Sequence, residues 1–130
     1  MNFWKFQYDG EEALLQCIVN RRLPSDVVTH AGLKNTHAHP LKAMRPGDGV
    51  VLATLEGDEG KIFAVGKVRA VATPEAPALV DWAAMKMTVY PDARGGLVNW
   101  KTKSAFEISQ EPAKKYNLKK LIEYYVRCES

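Results

Sequence analysis

Two runs of β-forming residues, Val50 to Leu55 and Lys61 to Val71, flank the string Glu56-Gly57-Asp58-Glu59-Gly60. Acids and glycines give a strand little to pack with, but they suit a tight reversal. The two runs are therefore predicted to pair as an antiparallel hairpin. In the second run Ile62, Ala64, Val68 and Ala70 are expected on one face, and Phe63, Val65, Lys67 and Arg69 on the other. Gly66, in mid-strand, marks a bend or a point where another element comes close. A lone hairpin is marginal in water, so this one needs further strands or helices to cover it.

The rest of the chain offers both. Phe3 to Tyr8 alternates aromatic and polar residues and reads as an opening strand. Asp9 and Glu12 have the spacing of a helix start, and the helix is expected to run to about Asn20 with Leu14, Leu15 and Ile18 buried. Val27-Val28 suggests a short strand, Pro40 to Met44 one helical turn, and Pro46-Gly47-Asp48-Gly49 a turn into the hairpin. Asp81 to Tyr90 reads as another strand, with Met85, Met87 and Val89 on one face. Leu97 to Ile108 is expected to hold one or two more. Asn117 would cap a last helix whose stripe is Leu118, Leu121, Ile122 and Tyr125. Strands spaced around a few helices give an α+β class: a small curled sheet or pseudo-barrel with flanking helices. At 130 residues, one domain over 1–130 is expected.

Charge is informative in its distribution. The net charge is only +3, from 18 basic and 15 acidic residues. Between Asn20 and Pro46, however, Arg21, Arg22, Lys34, Lys42 and Arg45 face Asp26 alone, and all of His30, His37 and His39 lie there. From Asn99 onward Lys101, Lys103, Lys114, Lys115, Lys119, Lys120 and Arg127 outnumber four glutamates. Two such clusters would suit one phosphate-facing surface. Cys17 and Cys128 make no disulfide framework and suit a reducing compartment. No apolar run approaches membrane-spanning or signal-peptide length, so a cytoplasmic protein without membrane partners is expected. Oligomeric state is not legible.

The densest polar segment runs from Gly32 to Asp48. His37 and His39, with His30 nearby, have no acidic or thiolate neighbour to complete a metal shell, so no bound transition metal and no cofactor is expected. The chain has no nucleophile elbow, no phosphate-binding glycine loop and no zinc-protease helix motif.

Four segments in order resemble the EVE domain, a member of the PUA-like superfamily and cousin of the ASCH and YTH domains. They are Phe3-Trp4-Lys5-Phe6, then Gly32-Leu33-Lys34-Asn35-Thr36-His37-Ala38-His39-Pro40, then Leu41, Met44 and Gly47-Asp48, then Ala64-Val65-Gly66-Lys67-Val68. They cover roughly residues 3–90. The departures are local: no tryptophan stands just before the glycine motif, Ala53 takes the place of a tyrosine, and Lys34, His37 and His39 replace arginine, glutamine and arginine.

The resemblance implies a PUA-like fold and a nucleic-acid-binding module that reads a modified or flipped base in RNA or DNA. Carried over residue by residue, it implies base contacts from Trp4, Asn35, His37 and His39 and phosphate contacts from Lys34, Lys42 and Arg45. Trp82 and Trp100 are expected to be packing rings. The alternative is a hydrolase acting on a modified nucleoside or small amide, as in some ASCH-like proteins. Gly32 and Lys34 fit that motif, but His37 stands where its glutamate would be.

Overall fold

A computed structural model describes residues 1–8, 10–23, 43–71, 78–91, 96–102 and 105–126. The elements are β1 (Phe3–Phe6), α1 (Gly10–Asn20), β2 (Gly49–Glu56), β3 (Glu59–Ala70), β4 (Leu79–Val89), α2 (Gly96–Thr102), β5 (Ala105–Ile108), α3 (Gln110–Lys115) and α4 (Leu118–Tyr125). The strands form one sheet in the order β4-β3-β2-β1-β5. β1 runs parallel to β2 and antiparallel to β5. Among the described residues this is a mixed α+β fold built on a five-stranded, curled sheet that is not closed into a barrel.

The β2–β3 hairpin forms as expected, from Glu56 paired with Glu59 down to Gly49 paired with Lys67. Gly57 begins the two-residue turn at φ 62, a left-handed value that an L side chain resists. The expected side-chain alternation along β3 does not hold throughout. The pairing passes from Ile62 to Ala64 over Phe63, on both the β2 and the β4 side. This bulge turns Ile62 to the same face as Val65, while Ala64 and Val68 take the opposite face.

Both sheet faces are covered. On one, Phe3, Val51, Ala53, Ile62 and Val65 pack with Trp100 of α2 and with Leu118 and Ile122 of α4. On the other, Trp4, Phe6, Val50, Leu52, Ala64 and Val80 pack with Cys17 of α1, Leu23 and Met44. β1, flanked by β2 and β5 and covered on both faces, is buried at every position.

Elsewhere expectation and structure differ in part. The Leu97–Ile108 region supplies one of the one or two strands expected, Ala105–Ile108, but its first part belongs to the helix Gly96–Thr102. The helix places Trp100 over the hairpin: a methyl added at Gly60 would lie 2.8 Å from its Cη2. In α1, Leu15 is exposed and Cys17 is buried, because a helix facing inward through Leu14 and Ile18 at i and i+4 also turns position 17 inward. At the C-terminal end α3 precedes α4. Asn117 between them is left-handed, at φ 62, with no side-chain cap bond. Tyr125 is exposed, and Leu118 and Ile122 carry the burial of α4. Asp9, Val27 and Val28 lie outside the described residues.

Gly66 is where β4 crosses closest. A methyl there would come within 2.7 Å of both Trp82 Cε3 and Val80 Cγ1. Gly66→Ala is therefore expected to cost about 1–3 kcal/mol, read as a lower urea midpoint with an unchanged slope. A wild-type midpoint would mean that β3 and β4 do not approach as described.

Candidate functional site

The junction of β1, β2 and β3 is organised by one carboxylate. Asp48, buried at the start of β2, accepts hydrogen bonds from Trp4 Nε1 at 3.1 Å and from the Arg45 amide at 3.0 Å, both through Oδ2. Its Oδ1 accepts from the Asn2 amide at 3.2 Å. The main chain adds three links: Gly47 N to Val68 O, Val68 N to Asp48 O, and Gly49 N to Asn2 O. The Pro46–Gly49 turn expected from sequence thus also locks three strands together. Gly47 takes φ 94 to make it.

This geometry gives Trp4 a different place from the one the sequence suggested. Its ring is 2% exposed, inside the core on the α1 face, and its N–H is committed to Asp48. It is a structural pin, with no open face for a base. Arg45 is exposed beside Asp48. Lys34, Asn35, His37, His39 and Lys42 lie outside the described residues, as does His30. The described ends of that interval are both anchored in the α1-face core: Leu23 and Met44 are each 3% exposed. The exit from α1 is tied to β4, where Val80 N donates to Arg21 O and Trp82 Nε1 to Arg22 O.

Lys5 is the functional-looking residue that sequence reasoning missed. It lies on the face of β1 covered by α2 and α4, fully buried, and its Nζ has no hydrogen-bond partner among the described residues. The ammonium sits 4.9 Å from the Trp100 ring centroid and 5.6 Å from that of Phe106, which is directly across the strand pair. Cation–π attraction offsets part of the desolvation. Beyond those rings, at the outer edge of β5, is a cavity of about 440 Å³ lined by both of them and by Glu107, Glu111, Lys115 and Tyr116. Lys5 itself does not line it. The missed signal was Phe3-Trp4-Lys5-Phe6 itself: three large apolar residues in four leave no wet face.

Among the described residues no three His, Cys, Asp or Glu side chains gather as a metal site. Nor is any described helix long and apolar enough to cross a membrane.

The fold and junction define a mixed α+β protein with a five-stranded, curled, unclosed sheet. No protein-family model matches the chain, and no curated protein matches it. Among solved structures it is similar to protein Atu2648 from Agrobacterium tumefaciens, at 15% identity over 100% of both chains with a TM-score of 0.57. At that identity the likeness is one of fold.

The burial of Lys5 has a measurable consequence. Burial lowers its ammonium from 10.5 to about 8. Between those values the unfolded chain binds more protons than the folded one, so stability rises with pH across that window. Below about 8 the full cost is present, on the order of 3 kcal/mol. Tyr8, held above 10.0 by burial and by Glu56 and Glu11, titrates later and in the opposite sense. Lys5→Met is expected to be roughly 2–3 kcal/mol more stable than wild type near pH 7, with the gap narrowing towards pH 10. Chemical denaturation at both pH values checks this; a variant no more stable at neutral pH would contradict the buried, unpaired ammonium.

Proposed function

We propose that the chain is a PUA-like module of the EVE type that binds nucleic acid and reads a modified or flipped base. The observation that carries this reading is the Asp48 junction. Three of the four resembling segments, Phe3–Phe6, Met44–Asp48 and Ala64–Val68, meet there through the Trp4, Gly47 and Val68 hydrogen bonds. Segments far apart in sequence that interlock through their own defining residues support a shared architecture more strongly than their order alone does. The fourth, Gly32–Pro40, is the base-facing segment in this reading. Leu23 and Met44, described residues on either side of it in the chain, pack into the same core as Trp4.

In this reading Trp4 serves the site by holding Asp48, and through it the Arg45 turn. Asn35, His37 and His39 contact the base, and Lys34, Lys42 and Arg45 contact phosphates. An amide side chain presents a donor and an acceptor together, which allows it to discriminate one base edge from another. Lysines and arginine supply affinity without sequence choice.

The test is a titration of wild type and Asn35→Ala against matched short oligonucleotides with and without a modified base, with circular dichroism to confirm folding. Asn35→Ala is expected to bind the unmodified strand much as wild type does and to lose about 1–3 kcal/mol of preference for the modified one. Wild-type protein with no preference across a broad panel of modified bases would sink the reading.

A further inference from the structure

At the end of the sheet where β1 and β2 begin, α3 and α4 enclose a cleft of about 460 Å³. Phe3 and Ala113 give it an apolar floor, and Lys114, Lys119 and Lys120 project from its two helices, with Gln110 and Asn117 beside them. No carboxylate lines it. That sets these lysines apart. Lys61, Arg69 and Lys101 each pair with an acid, Glu59, Asp81 and Asp58 respectively. Lys115, one residue from Lys114, lines the other cavity together with Glu107 and Glu111. Among the described residues Lys114, Lys119 and Lys120 make no ion pair.

Two features sharpen the charge pattern. α4 has no acidic residue in its first turn, and Asn117 makes no side-chain cap bond. The first amides of that helix therefore add their partial positive charge to the same cleft. The cleft also shares its end of the sheet with the Arg45 turn: Phe3 is paired with Gly49 on one side and Ile108 on the other, and Gly49 N donates to Asn2 O. Arg45, from the earlier basic cluster, therefore lies at the same end of the sheet as the cleft.

We propose that this cleft is a docking site for the phosphodiester backbone of a nucleic-acid strand. Lysine ammonium groups act as point charges with no fixed fork, which suits successive phosphates more than a single carboxylate. Three ammonium groups on two helices would neutralise up to three phosphates and read no base. The proposal takes its ligand from the nucleic-acid reading above but uses residues that the base-facing segment does not contain.

The test uses fluorescently labelled short single-stranded RNA and DNA of mixed sequence, titrated over a range of salt. The proteins are wild type, the triple variant Lys114→Gln, Lys119→Gln, Lys120→Gln, and Lys86→Gln as a control on the exposed face of β4. The triple variant is expected to bind roughly tenfold more weakly at low salt, with the slope of log K against log salt shallower by about 2, and the control to match wild type. Wild-type affinity and slope in the folded triple variant overturn the proposal. So does failure of wild-type protein to bind either strand. Binding lost in the triple variant, with no preference for any modified base in wild type, upholds the cleft and overturns the base reader. A modified-base preference with unchanged affinity in the triple variant does the reverse.

Discussion

A buried carboxylate is costly unless its lone pairs are filled, and Asp48 fills them with an indole N–H and two amides from separate parts of the chain. That requirement fixes much else. Trp4 must point into the α1-face core with its N–H towards the start of β2. Asn2 must lie beside Gly49, which sets the parallel register of β1 on β2. A parallel pair needs a long crossover, and the chain between Phe6 and Gly49 supplies it, with α1 as its first described part. Removing the carboxylate would leave the Trp4 N–H buried without an acceptor, so a local change at the turn would be felt across three strands.

With β1 inserted between β2 and β5, the sheet acquires a strand with no wet face. The aromatic richness of Phe3-Trp4-Lys5-Phe6 follows from that position, as does the cost of Lys5. The bulge at Phe63 works from the other direction. By turning Ile62 and Ala64 to opposite faces it sends Ile62 into the core under α2 and α4, where a strictly alternating β3 would place it with Ala64 and Val68 on the other face.

What was legible in the sequence was what local chemistry decides. The hairpin follows from Gly57-Asp58 between two β-forming runs, α1 from its acids and its 3.6-residue stripe, and β4 from the alternation of Met85, Met87 and Val89. What was not legible depends on partners distant in sequence. Val98, Trp100 and Phe106 all fall in a run that reads as strand, but only Phe106 is in one. The helix at Gly96–Thr102 follows from the need to lay Trp100 over Gly60, some forty residues earlier. Lys5 reads as an outward residue until β5 is known to lie beyond β1. Trp4, which the resemblance gives to a base, is held inside by Asp48. Of the candidate site, Arg45 can be placed beside Asp48. Lys34, Asn35, His37, His39 and Lys42 lie outside the described residues. The C-terminal lysines were visible as a cluster; that three of them share one concavity without acids depends on how α3 and α4 turn at Asn117.

Burial divides the lysines on this face of the sheet into two kinds. Lys5 and Phe3 are two residues apart on one face of β1, so their Cα atoms lie roughly 6–7 Å apart along the strand, while the Lys5 ammonium sits against Trp100 and Phe106, outside the lining of the lysine cleft. A charge held in a low-dielectric interior is screened far less than one in water, and salt reaches it poorly. Lys114, Lys119 and Lys120 are exposed, so their attraction for an anion fades as salt rises. Lys5, shut away against Trp100 and Phe106, loses its charge instead as pH climbs through about 8. This face of the sheet therefore carries exposed charges that respond to salt and one buried charge that responds to pH, a division that burial alone makes.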